Sequence, residues 1–411
     1  MSDATGSPSR LAMGFIIATI LIDGMGVGLI FPVMPDLIRE VTGRALADAA
    51  IWGGVLATGY AVMQFFFGPI VGNLSDRFGR RPVLISALVV LGIDYLVMAV
   101  APTIWFLLVG RLLAGMTAAT YSTAAAYVAD VSPPAKRDQN FGRLGAAMGV
   151  GFALGPMVGG LLSGIDTRAP FYAAAALALA NALFGLIVMP ESLEPDKRRP
   201  FKLSRANPFG AFRALGALKG VGPLLLLFAV AQVAYFVYPA VWAFFGQAQF
   251  GFDAQMVGLT LFAFGLSMGV SQAFLIGPIV ARIGSYRTAM ATLLLDIAVL
   301  AVIGLTDTIW LMWVLTVMAG FTSIAMVAIQ SITSRAVPDD QQGELQGVLG
   351  ALAALAMIVS PLLMTQTFAA FTHEAAPLHL PGAPFLLAAA LLAICALVLW
   401  RWRAGVGAAL D

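Results

Sequence analysis

Four ionisable side chains lie deep inside long apolar stretches of this sequence: Asp23, Asp94, Arg111 and Asp296. A charged residue at the centre of a membrane helix costs about 2.5–3.5 kcal/mol on insertion scales, so such residues normally face a polar cavity or one another. A carboxylate removed from water holds a proton more readily, because desolvation disfavours its charged form, and a nearby cation reverses this effect. Three acids and one guanidinium therefore predict a site that binds and releases protons.

The same four residues also fit a structural interpretation, in which a buried ion pair or a capped kink only fixes the helix packing. The sequence leaves this alternative open for each of them. An internal repeat adds a geometric argument, because Asp94 corresponds to Val299 at an offset of 205, three residues after Asp296. Residues at i and i+3 share a helix face. We therefore expect Asp94 and Asp296 to project from equivalent faces of two related helices, towards one central cavity.

Uncharged polar and adaptable side chains accompany these acids within the apolar stretches. The candidates for substrate contact are Gln64, Tyr235, Tyr238, Met268, Gln272 and Gln330. An amide both donates and accepts hydrogen bonds without carrying charge, and Met and aromatic faces give apolar contact without tight specificity. Hydrogen bonding between helices is the alternative role for each glutamine.

The elements that position these residues are transmembrane helices. Of the 411 residues, 60% are hydrophobic and only 11% are charged, whereas soluble domains are about 45–50% apolar. Apolar runs of about 20 residues predict membrane-spanning helices, and the single cysteine, Cys395, excludes a disulfide framework and a multi-cysteine metal site. The predicted spans one to twelve cover residues 11–38, 48–73, 83–101, 104–130, 140–163, 169–189, 221–246, 254–281, 287–306, 308–335, 345–370 and 383–402.

The two halves of the chain repeat each other. The sequence GPIV begins at Gly68 and again at Gly277, and Thr103-Ile104-Trp105 recurs as Thr308-Ile309-Trp310. Duplicated membrane bundles are mostly transporters. The predicted organisation is a six-helix bundle over residues 1–190, a basic cytoplasmic linker over 191–220, and a second six-helix bundle over 221–411.

Basic residues fix the predicted orientation. Nineteen Lys and Arg residues fall on the side of the termini and the central linker, and three fall on the other side: Arg39, Arg44 and Arg168. Cytoplasmic loops carry the excess of positive charge, so we expect both termini and the linker to be cytoplasmic.

A short charged loop between spans two and three predicts a conformational latch. Its residues, with an acid at the end of span four, are Gly72, Asp76, Arg77, Gly79, Arg80 and Asp130. We expect Asp76 and Arg77 to pair with charges at neighbouring helix ends, Asp130 among them, and to separate when the cytoplasmic side opens. A solvated turn is the alternative.

Span five contains closely spaced small residues around a proline. The motif residues are Gly151, Gly155, Pro156, Gly159 and Gly160. Small residues let helices approach closely, and proline removes a backbone hydrogen bond and bends a helix. We expect a bent helix at an interface between the two halves, with ordinary tight packing as the alternative.

Three of these segments resemble signature motifs of the major facilitator superfamily: GNLSDRFGRRP after span two, GRLLAGMTAA in span four and GFALGPMVGG in span five. The last resembles a motif of the drug:proton antiporter branch. Over essentially the whole chain the sequence is similar to the tetracycline/proton antiporters of that branch. A departure is Met268, which stands where members of this group commonly carry a histidine.

The resemblance implies roles for particular residues. Asp23, Asp94 and Asp296 match acids needed for proton-coupled efflux, and Arg111 matches the arginine of the span-four motif. Gln64, Asp76 and Arg77 match further functional positions.

The predicted fold is therefore all-α, the major facilitator fold with twelve transmembrane helices in two pseudo-symmetric halves. The predicted function is not enzymatic: it is proton-coupled export of tetracycline-like or other amphiphilic drugs by alternating access. A proton-coupled symporter or exporter of a metabolite, or a transport-inactive sensor, is the alternative. We expect no bound cofactor, a divalent metal carried only with the substrate, and a monomer in the bacterial inner membrane that contacts lipid and no nucleic acid.

Overall fold

The computed structural model describes residues 10–202, 206–210, 212, 218 and 220–406. Helices make up nearly all of this range, and no strand occurs within it. Within these described residues, twelve helical segments are long and apolar enough to cross a membrane, which confirms the predicted number of spans. Three basic linker residues counted in the orientation argument, Arg205, Arg213 and Lys219, lie outside the described residues.

Among the described residues of spans one to six, span four alone is divided into two helices. The helices of spans one to six are Arg10–Ile30, Leu46–Phe78, Arg80–Val100, Ile104–Thr117 with Thr120–Val131, Arg137–Ser163 and Ala169–Val188. A further helix, Met34–Thr42, separates spans one and two. Span one ends at Ile30 and not at residue 38 as predicted, because Pro32 cannot donate the backbone bond that would continue the helix.

The second six spans contain more interruptions. Their helices are Gly222–Tyr235 with Val237–Phe250, Ala254–Val270 continuing through Ser271–Leu275 to Ile276–Ile283, Ser285–Leu305, Ile309–Thr322 with Ile324–Arg335, Gln342–Thr372 and Ala383–Val406. The break in span seven lies at Phe236, where Pro239 removes the donor for the carbonyl of Tyr235. In span eight the segment Ser271–Leu275 is a π-helical turn.

Spans four and ten break at equivalent places without a proline. Span four is interrupted at Ala118 and Ala119, and span ten is interrupted at Ser323. Ser323 is the repeat counterpart of Ala118 at the offset of 205. The sequence predicted each as one uninterrupted span. Both breaks lie midway along their spans, the depth at which the candidate site residues were expected.

The repeat also extends to helix packing. A Cβ at Gly115 in span four would overlap the backbone oxygen of Tyr60 in span two, so the two backbones are in direct contact. Its counterpart in span ten, Gly320, has the same relation to span eight: a Cβ there would lie 2.7 Å from the oxygen of Phe264 and 2.8 Å from the nitrogen of Met268.

Contacts group the described chain into two compact units. The first contains residues up to 37 and 59–208, and the second contains 38–58 and the residues from 209 onward. Within the second unit, Thr58 Oγ1 donates to the carbonyl of Ile358 at 2.9 Å, so the first part of span two packs on span eleven. The predicted boundaries at residues 190 and 221 remain a prediction.

Each unit has its own apolar core. In the first unit the core cluster includes Phe15, Ile20, Leu84, Leu88, Tyr127 and Leu144. In the second it includes Leu225, Phe228, Leu345, Val348 and Leu349. These cores hold the polar residues described next on fixed helix faces.

Candidate functional site

A buried ion pair joins spans three and four in the first unit. Arg111 pairs with Asp94, whose side chain is 2% exposed. A Cβ at Gly110 would lie 3.0 Å from Asp94 Oδ1, so the small residue makes room for the carboxylate. The Arg111 guanidinium also lies over the ring of Tyr60, 5.5 Å from its centroid. Both the ring and the carboxylate therefore stabilise this buried cation.

Asp23, on span one, lies near the same group but is not neutralised by it. Its side chain is half-buried, and electrostatic interactions connect it to Tyr60 and Tyr95. The hydroxyl of Tyr95 contacts Gly26, one helical turn along from Asp23. Among the described residues Asp23 forms no ion pair, so it is the more available acid of this unit.

Gln64 is engaged with the backbone. Its Nε2 donates to the carbonyl of Ala118 at 3.3 Å, within the break of span four. This bond supports the alternative interpretation of Gln64, hydrogen bonding between helices, and it leaves the amide oxygen as the group that could contact a ligand.

The acid of the second unit, Asp296, is buried without a cation. It is 1% exposed, and Thr322 Oγ1 donates to its Oδ1 at 2.6 Å. The Tyr235 hydroxyl lies beside the same carboxylate. In the part of the chain that the structure describes, no basic side chain pairs with Asp296. This arrangement differs from that of Asp94, although the two acids occupy related helices.

Aromatic rings surround Tyr238 on the neighbouring helix of span seven. Its ring stacks on Phe264 with centroids 4.8 Å apart, and lies 5.8 Å from Trp242 and 6.0 Å from Phe385. Trp242 is itself fixed by a 2.9 Å hydrogen bond from Nε1 to Thr260 Oγ1. Tyr238 is therefore a rigid aromatic surface within electrostatic range of Asp296.

The other predicted ligand residues lie on spans eight and ten. Gln272 is exposed in the π-helical turn of span eight, and Met268 and Gln330 are half-buried. No hydrogen bond within the described residues joins any of them to Asp296. Ser271, next to Gln272, donates to the carbonyl of Phe321 at 3.1 Å and so ties the turn to span ten.

The loop after span two is organised by Arg80 and not by Arg77. The Arg80 guanidinium donates to Asp76 at 2.6 Å and to Asp130 at 3.1 Å. Arg77 is exposed and lies over the ring of Phe78, 5.1 Å from its centroid. Asp76, at the end of span two, thus pairs with a charge at a neighbouring helix end as expected, because Arg80 is the first residue of the span-three helix. Arg77 does not: among the described residues it forms no ion pair, and Arg80 is the loop residue that pairs with Asp130.

Glu191, which the sequence reasoning missed, completes this cluster. Its carboxylate accepts from the backbone N–H groups of Arg80 at 2.8 Å and Arg81 at 3.3 Å, at the start of span three. Gly79 has φ +106°, and a side chain there would collide with the Glu191 carboxylate. The open space around Gly72 shows no comparable constraint. Glu191 is 111 residues from Arg80, so only its position after span six, opposite a basic loop, could have suggested the contact.

The glycines of span five pack against span one of the same unit. Cβ atoms at Gly151, Gly155 and Gly159 would overlap backbone oxygens of Leu21, Met25 and Leu29 respectively. Pro156 and Gly160 are buried in the same continuous helix. The close contact of these three glycines is with span one, which fits the alternative of tight packing; the bent helix at an interface between the two halves stays a prediction.

The comparisons with known proteins agree with this architecture. A profile described as Major Facilitator Superfamily matches residues 16–247 and 224–409. The chain belongs to the Major Facilitator Superfamily. It is 38% identical to the class C tetracycline resistance protein of Escherichia coli, over 94% of this chain and 96% of that protein. It is 37% identical to the class G protein of Vibrio anguillarum, over 86% of this chain and 90% of that one.

Solved structures show the same fold at lower sequence identity. A bacterial homolog of the human lysosomal transporter Spinster superimposes with a TM-score of 0.75 at 16% identity, covering 97% of this chain and 98% of that one. Membership in this superfamily makes the chain a transporter and not an enzyme. With twelve apolar helices in the part of the chain that the structure describes, it is a multi-pass inner-membrane protein.

Proposed function

We propose that this protein exports tetracycline-like or other amphiphilic drugs from the cytoplasm in exchange for protons. The observation that carries the proposal is Asp296, a buried carboxylate with no cationic partner among the described residues. An uncompensated charge in a low-dielectric interior is costly, so this acid gains from binding either a proton or a positively charged ligand. Competition between the two at one carboxylate is the basis of antiport.

The other two acids take different parts. Asp94 is already neutralised by Arg111, so it holds the charge balance of spans three and four and responds when that pair is disturbed. Asp23 has no ion-pair partner in the described chain and serves as a second proton or cation site. Three acids against one arginine give these helices a net negative charge when all are ionised, which favours a cationic substrate.

The substrate proposal rests on relatives and on charge. The similar proteins are named tetracycline resistance proteins, and a metal-chelated tetracycline would present a positive centre on a partly apolar body. Within the described residues no cluster of three or more His, Cys, Asp or Glu side chains could hold a metal ion. We therefore assign any divalent metal to the substrate as cargo. Tyr235, Tyr238 and Met268 would supply apolar contact.

The cytoplasmic cluster around Arg80 would act as the latch of alternating access. Arg80, at the start of span three, pairs with Asp76 at the end of span two and with Asp130 at the end of span four. Charged hydrogen bonds in one network strengthen each other, so the loss of one partner weakens the remaining contact. The excess of basic residues on the side of the termini and the linker supports a cytoplasmic position for them. Because one chain carries both halves of the repeat, a monomer in contact with lipid suffices.

Transport into inverted membrane vesicles tests the proposal. Respiration acidifies the vesicle interior, so an exporter should accumulate tetracycline in the presence of Mg²⁺, and a protonophore should abolish the accumulation. Vesicles containing Asp296→Asn are the matched control. Accumulation that survives the protonophore, or that is equal in the control, would rule out proton-driven export through Asp296.

The alternatives give different results in the same vesicles. A symporter would accumulate its substrate in right-side-out vesicles under an inward proton gradient and not in inverted ones. A transport-inactive sensor would bind tetracycline–Mg²⁺ in detergent but accumulate nothing in either orientation.

A further inference from the structure

The hydroxyl of Thr322 lies between the buried acid and the break in span ten. Its Oγ1 is 2.6 Å from Asp296 Oδ1 and 2.9 Å from the carbonyl oxygen of Ala319. Thr322 is 1% exposed, so water does not compete for either contact. A threonine hydroxyl has one proton, and it can donate to only one of these two acceptors at a time.

The acceptor that it chooses depends on the proton of Asp296. A charged carboxylate is the stronger acceptor, so Thr322 donates to Asp296 when the acid is ionised. When Asp296 is protonated, its own O–H donates to Thr322 Oγ1, and the threonine proton turns to the carbonyl of Ala319. Thr322 keeps its proton in both states, and only the direction of its hydrogen bond changes.

We propose that Thr322 is a positioning residue that transmits the protonation state of Asp296 to the break in span ten. The proposal rests on the proposed proton-binding function of Asp296. Thr322 is the last residue of the first helix of span ten, and the neighbouring carbonyls are also held by side chains. Ser323 Oγ donates to Gly320 at 2.8 Å, and Ser271 Oγ from span eight donates to Phe321 at 3.1 Å. The carbonyl of Ala319 differs from these two, because it accepts the Thr322 hydrogen bond only when Asp296 is protonated.

The first half of the repeat provides an internal comparison. Thr117 corresponds to Thr322 at the offset of 205, and its Oγ1 donates to Ala114, the counterpart of Ala319, at 3.2 Å. No carboxylate contacts Thr117 in the described chain, because Asp94 pairs with Arg111. One half thus neutralises its acid with an arginine, and the other half connects its acid to a helix break through a hydroxyl.

The test separates proton-driven transport from substrate exchange. Thr322→Val keeps the branched shape without the hydroxyl, Thr322→Ser keeps the hydroxyl, and Thr117→Val is the matched control. In proteoliposomes with tetracycline and Mg²⁺, two rates are measured: net accumulation under a proton gradient, and tetracycline exchange without a gradient. We expect Thr322→Val to lose about tenfold or more of the first rate and to keep the second, whereas the other two variants keep both.

Each outcome decides the proposal. If Thr322→Val transports as well as Thr117→Val while Asp296→Asn is inactive, the role of Thr322 is refuted and that of Asp296 stands. If Asp296→Asn also transports normally, the proposed function itself fails. Equal loss of both rates in Thr322→Val would reduce the residue to a structural role. Should Thr322→Val not insert, Thr322→Ala is measured against Thr322→Ser with the same criteria.

Discussion

The contact between Glu191 and the start of span three predicts a measurable local stability. The first backbone N–H groups of a helix have no partner within it, and here Glu191 accepts from two of them, those of Arg80 and Arg81. A hydrogen bond to a charged group contributes about 1.5–3 kcal/mol, and the partial exposure of Glu191 places its contribution at the lower end. Glu191→Gln keeps the shape but loses the charge and one acceptor oxygen.

We therefore expect Glu191→Gln to lower the free energy of local opening by about 1.4 kcal/mol, which raises amide exchange about tenfold. Hydrogen–deuterium exchange of peptides covering residues 79–84 measures this directly. Glu194→Gln is the control, because the Glu194 carboxylate pairs with the exposed Lys197 at 3.0 Å and accepts from no helix N–H group among the described residues. Equal exchange in the two variants would refute the capping role of Glu191, since both remove one carboxylate from the same segment.

Three further predictions concern the buried pair, the loop and the glycine face. Arg111→Gln should destabilise the fold by about 3–5 kcal/mol, because it leaves Asp94 buried and unpaired. The double variant with Asp94→Asn should recover folded protein, measured by size-exclusion chromatography. Arg80→Ala should slow tetracycline turnover about tenfold with little change in equilibrium binding in detergent. The reason is that Arg80 acts on the conformational equilibrium and does not contact the ligand. Lost binding at unchanged turnover would contradict this prediction. Gly155→Val should lower the free energy of unfolding by about 1–3 kcal/mol, measured by thermal unfolding, because the new side chain collides with span one. Gly145→Val is the control and should be neutral, because a Cβ there meets nothing within 4 Å. Equal effects of the two substitutions would contradict the packing.

The sequence predicted the transmembrane architecture well because the bilayer allows few solutions. Every backbone polar group in lipid must be satisfied within the protein, so long apolar runs become helices. The end of span one was predicted wrongly for an identifiable reason. Apolar residues continue past Pro32, and the predicted end was based on them although a proline interrupts helical hydrogen bonding. The local signal was present in the sequence, and the helix ends where the proline requires.

The breaks in spans four and ten could not be predicted in the same way. Neither contains a proline, and the carbonyls at the breaks are held by side chains from distant spans, Gln64 at Ala118 and Ser271 at Phe321. Such contacts depend on which helices are neighbours, and a single sequence does not show this. The same limit applies to Thr322, since a threonine in an apolar helix usually donates to its own backbone.

The acids were recognised individually, but their environments were not. Asp94, Arg111 and Asp296 stand out by charge in apolar runs, and the ion pair remained one of two open interpretations. Position 111 is arginine in one half and its repeat counterpart is Thr316 in the other, so this difference is visible in the sequence. The sequence does not show that Arg111 packs against Asp94, or that no basic side chain among the described residues pairs with Asp296. This asymmetry separates the proposed role of Asp296 from that of Asp94.

Proton release on substrate binding tests the central claim most directly. Purified protein in weakly buffered detergent, with a pH indicator, is mixed with tetracycline and Mg²⁺, and the protons released per bound drug are counted. The antiport account predicts release by the unaltered protein and a smaller or absent release by Asp296→Asn, with Asp253→Asn as a control at the exposed start of span eight. Equal proton release by Asp296→Asn and the unaltered protein would contradict the account.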